Sequence, residues 1–157
     1  MIVSDNFLDA FMHESIYKTC VKANYNYGEI YDLGDVPVGM VSNLEARLIK
    51  ALDPLFKEEF QLHEMKLYRA YINCFAPSEY PNFHVDHDCQ TAKTVLYYVN
   101  TEVWDKNEGG ETQFLINDQI TGVLPIPNRA VCFDSHILHR ATSYRSRHRF
   151  TLAFKYE

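Results

Sequence analysis

The sequence lacks any run of apolar residues near the roughly 18 to 20 that a bilayer-spanning helix requires. Residues 1–6 also lack the basic region and apolar stretch of a secretory signal. Positive charge is not in excess, because 15 Lys and Arg stand against 21 Asp and Glu for a formal net charge of −6. A broad phosphate-binding face needs such an excess, so nucleic acid is a disfavoured partner. We expect a soluble cytoplasmic protein that does not enter a membrane.

Cysteine is sparse and dispersed. The four cysteines are Cys20, Cys74, Cys89 and Cys132. No C-x-x-C pair indicates a structural zinc or redox site, and in an intracellular protein we expect reduced thiols. Repeats and low-complexity tracts are absent as well. The 157 residues, 46% hydrophobic, 14% aromatic and 23% charged, are typical of one globular domain over residues 1–157 and not of a disordered chain.

The spacing of apolar residues changes near residue 65, from a helical period to a strand-like one. Two apolar stripes precede this point: Leu8, Phe11, Met12, Ile16 and Tyr17 in the first, and Leu48, Leu52, Leu55 and Phe56 in the second. Each predicts a helix that packs its stripe against a sheet, and Ser42 lies near the expected cap of the second helix. Residues 1–65 are therefore predicted to be a helical support. An exposed part of these stripes would allow a homodimer, so monomer and homodimer both remain open.

From residue 66 to 157 the chain consists of short segments rich in β-branched and aromatic residues, separated by turn residues. The predicted strands are 66–75, 82–87, 91–100, 111–116, 122–126, 130–134, 139–143 and 148–156. About eight such strands in succession predict a mainly β fold, the jelly roll or double-stranded β-helix, in which two antiparallel sheets face each other. The N-terminal helices would buttress one of these sheets.

Residues 83–87 contain a candidate metal-binding pair. His84 and Asp86 are two residues apart in a predicted strand, so the period of the strand places both side chains on one face. An imidazole and a carboxylate on one face can converge on one ion, although a lone pair of this kind is common by chance. A further histidine ligand could come from His136 or His139, whereas His87 points to the opposite face of the strand.

The last predicted strand carries an arginine on a half-buried face. One face of the strand holds Arg149, Thr151 and Ala153, and the other holds Phe150, Leu152 and Phe154. An unpaired guanidinium is costly in such a position, so Arg149 needs an anion. Its partner is either a carboxylate of the protein or a bound dicarboxylate ligand.

Together these features resemble the iron(II)- and 2-oxoglutarate-dependent oxygenases, most closely the prolyl 4-hydroxylase branch. The resemblance covers residues 66–156 and includes the H-x-D pair, a distal histidine and, ten residues after that histidine, Arg149. Residues 109–114, G-G-E-T-Q-F, are similar to the G-G-x-T-x-F segment of that branch. Residues 95–100, V-L-Y-Y-V-N, are similar to its strand that ends in Tyr-Tyr-hydrophobic-Asn.

The resemblance implies an iron(II) site made by His84, Asp86 and His139, with open positions for 2-oxoglutarate and dioxygen. Of the two candidate histidines, His139 has the family spacing of ten residues to Arg149, and His136 does not. The aspartate favours hydroxylation, because halogenases of this superfamily have a small residue at its position.

The resemblance also implies a 2-oxoglutarate pocket. Arg149 would bind the far carboxylate of this cosubstrate with two parallel hydrogen bonds. Tyr98 matches the family position whose hydroxyl assists the same carboxylate, and we expect Leu96, Thr112 and Thr151 to line the pocket. The implied cofactors are iron(II), 2-oxoglutarate and O2, with ascorbate implied by the family alone.

The implied reaction is hydroxylation of a C–H bond, while 2-oxoglutarate is decarboxylated to succinate and CO2. The branch favours a prolyl residue of a peptide or protein, although relatives hydroxylate other residues and small molecules. Two alternatives stay open. One is a nucleobase-dealkylating oxygenase, which the net charge disfavours, and the other is a jelly-roll binding module without catalysis.

Substrate contacts are expected from three loops, 76–82, 103–108 and 144–147. The second loop contains the single tryptophan, Trp104, which is either an aromatic wall of the substrate site or a loop anchor. Three arginines lie near the distal histidine: Arg140, Arg145 and Arg147. This basic group is either a solvated rim or a contact for an acidic substrate segment or a nucleic-acid phosphate.

Overall fold

The computed structural model describes residues 1–28 and 37–157. Two helices and ten strands lie within these ranges. In chain order the elements are β1 (Ile2–Ser4), α1 (Ala10–Lys22), β2 (Asn26–Tyr27), β3 (Met40–Asn43), α2 (Ala46–Phe60), β4 (Leu67–Phe75), β5 (Lys93–Tyr98), β6 (Thr112–Ile116), β7 (Gln119–Val123), β8 (Ala130–Asp134), β9 (His139–Ala141) and β10 (Arg149–Tyr156). Neither helix has both the length and the apolar character needed to cross a bilayer, as judged over the described residues.

The strands form two antiparallel sheets. The larger sheet has seven strands in the order β1-β8-β5-β10-β4-β3-β2, and the smaller has three in the order β7-β6-β9. An apolar cluster joins them, because Phe114 of β6 and Val123 of β7 pack with Leu96, Phe133 and Ala153 of the larger sheet. Two facing antiparallel sheets that share such a core confirm the predicted jelly roll.

The helices cover the outer face of the larger sheet. Ile16 of α1 and Phe56 of α2 are buried in one cluster with Phe150, Leu152 and Phe154 of β10. The opposite face of β10 turns toward the smaller sheet, where Ala153 packs. The alternation predicted for the last strand is therefore confirmed, and it directs Arg149 and Thr151 inward.

Both helices differ in detail from their predictions. The buried residues of α1 are His13, Ile16 and Cys20, whereas Phe11 is 86% exposed. The prediction that Phe11 packs against the sheet was wrong, because the residues of α1 that face the sheet lie on an adjacent face of the helix. Ser42 does not cap α2 either, since it lies in β3 and pairs with Ile72 of β4. The helix instead begins at Ala46, after β3 has ended.

Two strand predictions also needed correction. Residues 82–87 form no strand, and only His84 pairs, in an isolated bridge with His139. The strand predicted at 122–126 lies earlier, at Gln119–Val123, because Asn117 and Asp118 have positive φ angles of 50° and 59° and close a tight hairpin there. The short strands β1, β2 and β3 were missed. The predicted loop glycine Gly34 lies outside the described residues.

A buried hydrogen-bond network joins α1 to the larger sheet. Tyr97 donates its hydroxyl hydrogen to Oδ1 of Asn128 at 2.8 Å, so Nδ1 of His13 donates to the Tyr97 oxygen at 2.6 Å. Asn128 is also bonded to both the N–H and the carbonyl of Leu8. Burial lowers the pKa of this imidazole below its ordinary value, so the network contains a neutral His13 at neutral pH.

The free energy of unfolding is therefore expected to depend on His13. Because the pKa of His13 is lower in the folded state, neutral His13 contributes fully to the free energy of unfolding above the pKa of about 6.5 that it has in the unfolded chain. This contribution is lost as the pH falls below that value. Urea unfolding of the wild type and His13→Gln from neutral to mildly acidic pH measures this. The wild type should lose more stability than the variant on acidification, by at most about 1.4 kcal/mol per pH unit. Parallel profiles would contradict this role of His13.

Candidate active site

Three side chains with metal-binding atoms meet between the two sheets. Ligand atoms of His84, Asp86 and His139 all lie within 4.8 Å of one another, and no second group of this kind occurs in the described part of the chain. Nε2 of His84 is 3.7 Å from Oδ1 of Asp86, and Nε2 of His139 is 3.5 Å from Oδ2. The structure thus brings together the two neighbouring residues and the distal histidine singled out in the sequence.

Both imidazoles present Nε2 to the carboxylate. Nδ1 of His84 lies 3.2 Å from the carbonyl oxygen of Asn82, and Nδ1 of His139 lies 2.8 Å from that of Ile137. A carbonyl can only accept, so each Nδ1 carries a hydrogen, and Nε2 is the nitrogen of each ring that offers a lone pair when the ring is neutral. This is the tautomer that a metal ion requires, and backbone carbonyls hold it in place.

The backbone explains why the two histidines meet. His84 and His139 exchange N–H···O hydrogen bonds of 3.0 and 2.9 Å, and the N–H of Asp86 donates to the carbonyl of Ser135 at 2.8 Å. The H-x-D segment is therefore bonded to the turn before β9 and to the start of β9. Its convergence depends on this pairing and not on the strand that the spacing predicted.

The charges of the group suit a divalent cation. Burial alone would raise the pKa of Asp86, but hydrogen bonds and charge from His139 and Lys155 outweigh it and hold this pKa well below its usual range. Burial, followed by the neighbouring His139, lowers the pKa of His84. Asp86 is thus an anion and His84 a neutral imidazole at neutral pH, which is the state in which each side chain binds a metal.

The competing histidines lie outside this group. Nδ1 of His87 accepts from the N–H of Cys89 at 2.9 Å, and its Nε2 is 3.9 Å from a carboxylate oxygen of Glu157. His136 lies in the turn before β9 and does not join the three converging side chains. Of the three histidines considered beside His84, only His139 lies with Asp86 in the converging group of the described residues.

Arg149 is buried at the other end of the same cleft, with 1% of its surface exposed. Its Nε donates to the carbonyl of Gly110 at 2.7 Å, and Nη2 and Nη1 donate to the hydroxyls of Thr112 at 2.9 Å and Thr151 at 3.5 Å. Within the described residues it forms no ion pair. The guanidinium is thus held by neutral acceptors, and a bound carboxylate would neutralise a charge that is otherwise costly to bury.

Gly110 makes this arrangement possible. Its φ is +86°, and a Cβ built there would lie 2.4 Å from the ring of Tyr144. Any other residue would push its backbone off Tyr144 and displace the carbonyl that receives Nε of Arg149. The glycine pair seen in the sequence therefore has a steric purpose in this pocket.

Thr112 connects Arg149 to Tyr98. Its hydroxyl oxygen accepts from Nη2 of Arg149 and also from the Tyr98 hydroxyl at 2.7 Å. Because the Thr112 oxygen is the acceptor in both hydrogen bonds, its own hydroxyl hydrogen remains available for donation to a ligand. Burial raises the pKa of Tyr98, so this phenol stays protonated and keeps donating. Of the two, Thr112 lines the cleft, and Tyr98 acts behind it.

The cleft contains both Arg149 and the three converging side chains, and its lining is mixed polar and apolar. It is partly open to solvent, and its empty space of about 570 Å³ includes some of that solvent. Its walls include Leu96 and Thr151, two of the residues expected to line the cosubstrate pocket, together with Met40, Val41 and Phe75. A small dicarboxylate could reach both the guanidinium and the metal-binding group from this space, because its two charged ends are separated by an apolar chain.

Trp104 and the arginines that were expected near the substrate make contacts within the protein itself. Trp104 donates from Nε1 to the carbonyl of Gly109 at 2.8 Å, which fits the loop anchor. Arg140 lies 4.5 Å from the ring centroid of Tyr80 and 4.4 Å from that of Phe83. Arg147 instead stacks on Tyr144, at 4.7 Å. The basic group is thus divided between separate aromatic contacts.

The sequence analysis missed Lys155 and Thr94, both of which contact Asp86. Lys155 approaches Oδ1 at 2.9 Å, and Thr94 donates to Oδ2 at 2.7 Å. Lys155 could have been found, because it continues the inward-facing series of Arg149, Thr151 and Ala153 at the same period of two. Thr94 carried no comparable signal.

The model of the 2OG-Fe(II) oxygenase superfamily matches residues 70–156, more than half of the chain. No curated protein sequence matches this chain. Among solved structures, the chain is similar to a prolyl hydroxylase from Trichoplax adhaerens in complex with a hypoxia inducible factor oxygen degradation domain peptide fragment. The identity is 16%, the match covers 99% of this chain and 82% of that one, and the TM-score is 0.79.

Two further structures show the same fold. A prolyl-4-hydroxylase from Pseudomonas putida has 16% identity, coverage of 99% and 91% of the two chains, and a TM-score of 0.78. HygX from Streptomyces hygroscopicus, with nickel, 2-oxoglutarate and hygromycin B bound, has 12% identity, coverage of 99% and 81%, and a TM-score of 0.75. At these identities the structural likeness shows the fold alone. Since the family model spans both the converging His-Asp-His group and the buried arginine, the chain belongs to the 2OG-Fe(II) oxygenase superfamily.

Proposed function

We propose that this oxygenase hydroxylates a C–H bond, with His84, Asp86 and His139 as the iron(II) ligands. The observation that carries the proposal is that one cleft contains both this group and a buried arginine without a carboxylate partner among the described residues. Two imidazoles and one carboxylate on one side of an ion leave adjacent positions open, which is typical of non-haem iron(II) oxygenases. When bound, the iron supplies the O2 activation that hydroxylates the substrate as 2-oxoglutarate is converted to succinate and CO2.

The chain's own residues would bind and orient the cosubstrate. Arg149 offers its guanidinium to the far carboxylate, and Thr112 adds a hydroxyl donor beside it. Thr151 and Leu96 line the wall, and Tyr98 keeps Thr112 in place. A carboxylate shielded from water in this way would form stronger charge-assisted hydrogen bonds than one in solvent.

For the substrate we propose a prolyl residue of a peptide or protein. Prolyl hydroxylases, one of them with a bound peptide, are among the structures that share this fold. The apolar side chains of Met40, Val41 and Phe75 in the cleft suit an uncharged ring better than a charged group. A small molecule is the second candidate, because HygX has the same fold and was solved with hygromycin B. A nucleic acid stays disfavoured by the net charge of −6.

Several finer expectations stay predictions. They are the use of ascorbate, the choice between monomer and homodimer, and the cytoplasmic location.

The cofactors are tested first on the wild-type protein. Iron(II) and 2-oxoglutarate are added without oxygen, and a weak visible charge-transfer band is expected only when both are present. Admission of O2 should then yield succinate, and omission of iron(II) should abolish it. A protein that shows neither band nor succinate would instead support the non-catalytic binding module.

The substrate is tested with matched peptides. A library of peptides that contain proline, each paired with its Pro→Ala counterpart, is incubated with the loaded enzyme and analysed by mass spectrometry. Gain of one oxygen atom at proline, absent from the alanine partner, is the expected result. Succinate formation that responds to small molecules and to no peptide would favour the second candidate.

A further inference from the structure

Besides Arg149, a second buried cation lines this region: Lys155, whose ammonium contacts Asp86 of the metal-binding group. Lys155 is 4% exposed, and its Nζ lies 2.9 Å from Oδ1 of Asp86. It belongs to β10, on the same inward face as Arg149, but near the opposite end of the strand. Both side chains of the Lys155–Asp86 pair are 5% exposed, so solvent hardly screens it.

Within residues 1–28 and 37–157, Asp86 is the carboxylate with which Lys155 forms an ion pair. Its Nζ lies 5.3 Å from the centroid of the Tyr71 ring, which adds a weak attraction to the π face. The second oxygen of Asp86, Oδ2, is held by the hydroxyl of Thr94, which itself lies 2.9 Å from Oγ of Ser135. Each oxygen of the carboxylate therefore has a separate donor on the larger sheet, and together these donors prevent the carboxylate from rotating.

The function proposed above gives Lys155 no task. A divalent ion bound to Asp86 would neutralise the carboxylate by itself, and a buried ammonium beside such an ion adds repulsion. A lysine is also costly to bury unless its pairing compensates for lost hydration. Its contribution is therefore greatest when the metal is absent, because the buried charge of Asp86 then has no divalent ion to neutralise it.

We propose that Lys155 is a positioning residue of this metal site, the resident counter-ion that keeps Asp86 buried and oriented before the metal binds. This inference rests on the proposed role of Asp86 as an iron ligand. Two consequences follow from it. The metal-free protein should depend on Lys155 for stability, and the metal should partly replace that stabilisation. In the loaded site, the ammonium should withdraw charge from Asp86 and so weaken its donation to the iron.

A double-mutant cycle on the metal-free protein tests the first consequence. Thermal unfolding is measured with chelator at one neutral pH for the wild type, Lys155→Met, Asp86→Asn and the double variant. Each single variant should unfold about 10 °C below the wild type, because one charge is left buried without its partner. The double variant should recover much of this loss. A double variant no more stable than Lys155→Met would overturn the proposal.

A matched control comes from another lysine–aspartate pair on the larger sheet. Lys93 forms an ion pair with Asp134, its neighbour across β5 and β8, and contacts none of the three converging side chains. Addition of iron(II) should raise the unfolding temperature of Lys155→Met more than that of the wild type, and should raise that of Lys93→Met by the wild-type amount. Equal shifts in all three proteins would contradict the proposal.

The visible band of the complex with iron(II) and 2-oxoglutarate tests the second consequence. In Lys155→Met, stronger donation from Asp86 should move the band to longer wavelength, and Lys155→Arg should move it back. An unchanged band would overturn the role in the loaded site.

If Lys155→Met does not fold, the double variant decides between the outcomes. A folded double variant supports the pairing of Lys155 with Asp86, and an unfolded one opposes it. A wild type that binds no metal would refute the proposed function, while a coupled metal-free cycle would still establish the pair.

Discussion

His139→Ala should reduce succinate formation to the background level while the protein remains folded. The variant removes one of the two imidazoles that meet at Asp86, and a site with one imidazole and one carboxylate binds iron(II) weakly. Loss of a residue that merely orients a ligand costs about 10- to 100-fold in affinity or activity, so loss of the ligand itself should cost more than about 100-fold. Succinate assays and iron content of the purified variant measure the effect.

His136→Ala is the matched control for this prediction. His136 precedes His139 by three residues, in the turn before β9, but it does not join the converging group. It should keep most of the iron binding and turnover of the wild type. Equal loss of iron in both folded variants would mean that the ligand has been assigned to the wrong histidine.

Arg149→Met should raise the KM for 2-oxoglutarate by roughly 100-fold. A buried charge-assisted contact to a carboxylate contributes about 3 kcal/mol, and each 1.4 kcal/mol corresponds to a tenfold change in affinity. Arg149→Lys should recover only part of the loss, because lysine keeps the charge but not the planar fork. Steady-state kinetics with varied 2-oxoglutarate measure both variants.

The stability of the Arg149 variants separates a binding role from a structural one. Among the described residues the guanidinium donates to a carbonyl and two hydroxyls, which offset the cost of burying its charge. Without cosubstrate, Arg149→Met should therefore unfold at nearly the wild-type temperature. A large fall in that temperature, with an unchanged KM, would show that Arg149 holds the sheets together and does not bind 2-oxoglutarate.

The site was easier to predict from the sequence than the elements that carry it. A period of two places Arg149 and Thr151 on one face whatever the neighbouring strands are, and the aromatic residues between them identify the face that packs on the helices. Lys155 obeys the same rule. The importance of Lys155 was missed because the period of a strand predicts which face a side chain lies on, but not which residue it contacts. The contact of Lys155 depends on the position of Asp86.

The errors arose where tertiary pairing outweighs local pattern. His84 was expected in a strand, yet its position depends on a single bridge to His139, 55 residues later in the chain. Ser42 has the chemistry of a helix cap, but β3 pairs with β4 and delays the start of α2. Phe11 shows that apolar spacing leaves the rotation of a helix uncertain when two stripes are adjacent.

The three converging side chains come from separate parts of the jelly roll. His139 begins a strand of the smaller sheet, whereas the donors that hold Asp86 belong to strands β5 and β10 of the larger sheet. Any ion shared by His139 and Asp86 is therefore a cross-link between the two layers. Loading the site should stiffen the molecule as well as prepare it for chemistry, and amide hydrogen exchange in β6 and β9 should slow more than in the helices on the far side. Without the ion, the two layers would still share their apolar core but would lack this cross-link.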